Sequence, residues 1–144
     1  MAAPNPVPID RRTLLVGVDG SDTSWRALFY ALGQARRDSS AVIAVNVVPI
    51  TVATTSATVA GCAALVDAAQ GIESEIAELR AQSDVDIRFE TTVGDPAGSL
   101  VRLAGEHHAD GIVIGASTTL AHRIFGSIAG RAVRNSPCPV TVVP

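Results

Sequence analysis

Apolar positions along this chain follow two rhythms. Residues 13–19, 41–47, 112–114 and 140–143 are short, Val- and Ile-rich runs, broken only by single polar residues such as Asn46. Runs of that length, uncharged apart from the closing Asp19, suit strands buried on both faces, as in a parallel sheet. Between them the period lengthens. Trp25, Leu28, Phe29 and Leu32 recur at helical spacing within 22–37. Val59, Cys62, Val66, Ala69, Ile72, Ile76 and Leu79 step by three and four through 57–82, predicting one helix with one buried stripe. Residues 85–93 alternate, with Val85, Ile87, Phe89 and Thr91 set against Asp86, Arg88 and Glu90. That period of two predicts a half-exposed edge strand.

Local signals place the boundaries. Gly94-Asp95-Pro96 opens a third helix, with Asp95 as cap and Pro96 in the first turn. Leu100, Leu103 and Ala104 carry its apolar side, and His107 and His108 fall near its end, where the helix dipole favours a cation. Adjacent histidines on a helix do not face each other, which argues against a metal pair. A fourth helix follows Ser127 and runs to Asn135, where Ser136-Pro-Cys-Pro139 breaks it. Residues 48–56 show no period and read as a loop. Five strands alternating with four helices imply a single doubly wound, parallel α/β sheet with helices on both faces. Residues 13–144 form that domain, and 1–12, with three prolines, read as a flexible tail.

Candidate chemistry concentrates at two strand ends. Asp19 closes the first strand in Gly17-Val-Asp-Gly-Ser21; Gly115 and Ala116 close the fourth, followed by Ser117, Thr118, Thr119, His122, Arg123, Gly126 and Ser127. In a doubly wound sheet these ends meet at the switch point, where ligands bind. A carboxylate there accepts from a ribose hydroxyl or an adenine amine, and loop N–H groups at a helix start donate to phosphate. Asp19 reads equally as a turn residue capping the next helix, and the glycine turn as an ordinary strand-to-helix connection.

Composition narrows the field. The formal charge of −3 is no basis for nucleic-acid binding. All eleven Lys+Arg cations are arginine, which excludes Walker-type lysine chemistry. Cys62 and Cys138 have no metal-ligand spacing and read as reduced thiols. No apolar run is long enough for a membrane span, and a soluble cytoplasmic protein is the expectation. No nucleophile stands beside a base, so no catalytic residue is assigned. A flavin carrier is disfavoured because one Trp and one Tyr are poorly suited to flank the ring.

Three pieces together resemble the universal stress protein family: Val16-Gly-Val-Asp-Gly-Ser21, Gly94-Asp-Pro96, and Gly126-Ser127 followed by Arg134-Asn-Ser-Pro-Cys-Pro-Val-Thr-Val-Val143. The resemblance implies a Rossmann-like fold of the adenine nucleotide alpha hydrolase type, with strand order 3-2-1-4-5. It implies homodimers joined through Val140 to Val143, in keeping with an unpaired edge. It also implies an adenine nucleotide, ATP or AMP, with Mg²⁺ only alongside it, held by Val18, Asp19, Val47, Gly115, Ser117, Gly126, Ser127 and Ile128. Many members carry Gly-x2-Gly-x9-Gly followed by Ser or Thr. Here Thr118 takes the middle position, and Gly115 and Gly126 lie eleven residues apart where the pattern needs thirteen. A β-branched residue suits a left-handed turn poorly, so the phosphate contacts must differ. The function implied is a nucleotide-binding stress-response module. The alternative is a dimer that does not bind ATP and serves as an interaction module; a slow ATPase is the third possibility.

Overall fold

The computed structural model describes residues 11–49, 59–116 and 128–144. Their elements run β1 (Thr13–Gly17), α1 (Asp22–Asp38), β2 (Ala41–Val48), α2 (Val59–Gln82), β3 (Ile87–Val93), α3 (Pro96–Glu106), β4 (Gly111–Gly115), α4 (Ile128–Asn135) and β5 (Val140–Val143). The five strands form one sheet in the order β3-β2-β1-β4-β5, every pair parallel.

The uncharged runs are explained by two cores, one on each face of the sheet. Successive side chains of a strand point to opposite faces. Leu14, Val16, Val42, Ala44 and Val113 face α1 and α2, packing on Ala27, Leu28, Ala31, Leu32, Ile72 and Ile76. Leu15, Ile43, Val45, Ile112 and Ile114 face the other way, onto Leu100, Leu103, Ala104 and Ala132. With both faces covered, no position of the central strands can be polar without cost.

Helix starts follow the sequence. Ser21 caps α1, accepting from Ser24 N–H at 3.3 Å. Asp95 caps α3, accepting from Gly98 N–H at 2.8 Å, with Pro96 directly after it. β3 lies at a sheet edge, as its alternation implied. His107 caps the end of α3 and lies 2.9 Å from the Glu90 carboxylate on β3, a partner beyond the dipole.

Two expectations are corrected. Phe29 is not part of the buried stripe of α1 but 56% exposed. The buried positions are Thr23, Ser24, Ala27, Leu28, Ala31, Leu32 and Ala35, so small residues let α1 lie close to the sheet and Phe29 is turned outward. Val66 is 54% exposed, whereas Ile72 and Ile76 further along α2 are buried. A 24-residue helix spans roughly 36 Å and the eight-residue β2 roughly 26 Å, so one end of α2 overhangs the sheet. At the chain's start, Arg12 C=O accepts from Ala41 N–H at 2.8 Å and Arg11 Nε donates to Ser39 C=O at 3.2 Å.

Candidate functional site at the carboxyl edge of the sheet

β1 and β4 are adjacent and parallel, so the two strand ends singled out in the sequence open on one edge. Register fixes the neighbours. β1 and β2 advance in step from Thr13↔Ala41 to Gly17↔Val45, and Val18 N–H still donates to Val45 C=O at 2.8 Å. The pairing ends there, so Asp19 and Val47 each lie two residues beyond the last paired positions, at the same edge. The β1–β4 register, Leu14↔Gly111 to Val16↔Val113, likewise leaves Val18 and Gly115 two residues beyond its last pair.

Backbone polarity follows from the same ladder. In a parallel pair, alternate residues of a strand direct N–H and C=O to the same neighbour. Val45 accepts from the β1 side, so the N–H and C=O of Val47 also point to that side. There β1 has already turned away toward α1, through Gly20 at φ 89. On its other side β2 is occupied to the end, since Gly94 N–H donates to Val48 C=O at 2.9 Å.

Asp19 is exposed, while Val18 before it is buried in the first core. Asp19 Oδ1 accepts from Ser21 N–H at 2.9 Å, and Asp19 N–H donates to Ser24 Oγ at 3.3 Å. Burial pushes the Asp19 carboxyl up, but hydrogen bonds from Ser21 and Ser24 outweigh it and hold it below the ordinary value. The residue is thus an exposed turn-former whose Oδ1 is held by Ser21 N–H. The helix cap itself is Ser21, not Asp19.

Gly115 has a structural reason of its own. A Cβ there would lie 2.5 Å from the carbonyl carbon and oxygen of Thr23 and 2.8 Å from Ser24 N. The close approach that the small residue permits is to the first turn of α1. Ala116 N–H continues the sheet, donating to Val143 C=O at 2.7 Å. Ile128 opens α4 and is 40% exposed. Ser117, Gly126 and Ser127, with Thr118, Thr119, His122 and Arg123, lie outside the described residues. The described part of the edge therefore gathers Val18, Asp19, Val47 and Gly115.

Sequence reasoning missed Arg131. Its guanidinium forks onto Asp95, with Nη1–Oδ1 and Nη2–Oδ2 both at 2.8 Å. Arg131 holds the Asp95 carboxyl below its ordinary value, helped by Gly98 N–H, and is itself raised. The pair ties the start of α3 to α4. Among the described residues no group of three His, Cys, Asp or Glu could hold a metal ion. No helix among them is long and apolar enough to cross a membrane.

Comparison with known proteins agrees with this architecture. The sequence profile of the Universal stress protein family matches residues 10–144. A universal stress protein of Methanocaldococcus jannaschii is 29% identical over 92% of this chain and 81% of its own length. A universal stress protein solved in complex with cAMP is 28% identical, with a TM-score of 0.73 over 92% of this chain and 97% of that one. Universal stress protein UspA from Lactobacillus plantarum, 24% identical, shares the fold at a TM-score of 0.76, covering 92% of this chain and 97% of its own. Five parallel strands in the order 3-2-1-4-5 and a profile match over nearly the whole chain lead to one statement: the chain belongs to the universal stress protein family.

Proposed function

We propose that the chain binds an adenine nucleotide, ATP or AMP, at the carboxyl edge of its sheet, and acts in stress response or signalling through that binding and through homodimerisation. The observation that carries this reading is that Asp19 and the β1-facing backbone of Val47 both lie two residues beyond the last paired positions, Gly17 and Val45, at one edge of the sheet. The exposed Asp19 carboxylate accepts from ribose hydroxyls; one open N–H and one open C=O match the donor–acceptor edge of adenine. These groups fit the adenosine end of the ligand. Gly126, Ser127 and the start of α4 would take the phosphates, where a helix N-terminus favours an anion. The related protein solved with cAMP lends support, since cAMP carries the same adenosine moiety. No chemical step is required. Any Mg²⁺ would enter with the phosphates.

Isothermal titration with ATP and AMP tests the reading. Saturable heat is expected. Asp19→Ala should weaken binding about ten- to a hundredfold, the worth of hydrogen bonds to a charged group. Gly126→Val should abolish it. Absence of heat and of any thermal shift with either nucleotide would end the proposal.

A second reading keeps the fold and drops the nucleotide: a dimer serving as an interaction module. It is favoured by Thr118 in place of the middle glycine and by the shortened spacing to Gly126. It is favoured too by the exposed apolar side chains of Ile128, Val133 and Val142 on α4 and β5, beside the free edge of the sheet. Under this reading the nucleotide titrations stay flat, while charged substitutions at Val142 still dissociate the dimer.

A further inference from the structure

The chain has only one Trp, one Tyr and three Phe. Three of these five aromatics, Trp25, Phe29 and Tyr30, sit on α1. Aromatic side chains dominate core energetics when buried, yet Phe29 is 56% and Tyr30 44% exposed. Trp25 is half-buried, with part of its ring against the first core.

Trp25 and Phe29 are four residues apart on α1 and share a face. They form one wall of an open groove, whose other wall is Glu75, Glu78, Leu79 and Gln82 on α2. Among the described residues neither Glu75 nor Glu78 has an ion-pair or hydrogen-bond partner. The nearest basic residue along α2, Arg80, is engaged: its Nε donates to Ile87 C=O at 2.7 Å. Arg26, beside Trp25 in sequence, does not line the groove. The groove thus combines two aromatic surfaces, an aliphatic side chain and two uncompensated carboxylates.

We propose that the groove between α1 and α2 binds an arginine side chain on a basic segment of a partner protein. A guanidinium stacks on Trp and Phe faces, its aliphatic stem covers Leu79, and its fork of donors meets carboxylates in two-point geometry. Lysine, a compact and strongly hydrated charge, uses the flat walls less well. A second copy of this chain is a poor occupant, because a two-fold contact on this face would set Glu75 and Glu78 near their own equivalents. Nucleic acid is repelled by the same carboxylates.

Trp25 is the only tryptophan, so its fluorescence reports on the groove without a label. The full chain is titrated with acetyl-Ala-Arg-Ala-Arg-Ala-amide, and with peptides in which both arginines are replaced by lysine or by glutamate. A saturable fluorescence change with the arginine peptide is expected, with weaker binding of the lysine peptide and none of the glutamate peptide. Glu75→Gln with Glu78→Gln, both at exposed positions, should weaken binding about three- to tenfold without altering the melting temperature. Phe29→Ala should weaken it as well. Equal titrations for parent and double variant, or equal response to the glutamate peptide, overturn the proposal. So does a fall in sedimenting mass with Phe29→Ala, which would assign this face to a second copy.

Discussion

Replacing Gly115 by alanine separates packing from ligand binding at the carboxyl edge. The added Cβ would meet the carbonyl of Thr23 at 2.5 Å, where ordinary contact begins at 3.4 Å. A gap of roughly 0.9 Å must therefore open, by the difference of those two distances. The obstacle is backbone, so no rotamer change relieves it. Nor is that turn free to yield: Ser24 Oγ donates to Ser21 C=O at 2.8 Å and accepts from Asp19 N–H at 3.3 Å. Overpacking of this kind costs about 1–3 kcal/mol. At about 2–4 °C per kcal/mol for a chain near this size, the melting temperature falls by about 2–12 °C. The assay is thermal unfolding followed by circular dichroism, with no nucleotide present. A melting temperature within about 1 °C of the parent would refute the packing argument. Loss of nucleotide binding without that fall would mean that the glycine serves a ligand and not α1.

Other consequences follow from burial and charge. Ile76→Ala, at a fully buried position of α2, should cost about 2–5 kcal/mol in urea unfolding, whereas Val66→Ser on the same helix should change stability by less than about 0.5 kcal/mol. Equal losses would contradict the overhang of α2. Asp19, held below its ordinary value of 3.8, contributes stability that is present above that value and lost as pH falls through the folded one. Asp19→Asn should therefore lack the acid step seen in the parent; superimposable curves of stability against pH would remove the hydrogen-bonding account of this carboxylate.

What could be read in the sequence was whatever repeats locally. The uncharged runs at β1, β2 and β4 announced strands covered on both sides, and Asp95-Pro96 announced the start of α3. Phe29 misled because helical spacing counts hydrophobicity, whereas α1 buries mainly small residues, Ala27, Ala31 and Ala35 among them, that allow close contact with the sheet. Val66 misled because periodicity cannot tell where a helix outruns its sheet. The meeting of the β1 and β4 ends needed the strand order 3-2-1-4-5 that the family resemblance implies, because alternating strands and helices are equally compatible with an order that places β3 beside β1. The fork between Asp95 and Arg131 was not legible: the two lie 36 residues apart, and each has a sufficient local explanation as a cap and as an exposed cation. The contact that requires Gly115 was equally hidden, because a glycine after a strand suits a ligand and a neighbouring helix turn alike.

Amide chemical-shift mapping of the full chain with AMP tests the site most directly. The account predicts shifts concentrated at Asp19, Gly20, Val47, Val48, Gly115 and Ala116, with the opposite edge at Thr13, Ala41 and Gly111 unmoved. Shifts confined to that opposite edge, or a spectrum unchanged by AMP, would contradict it.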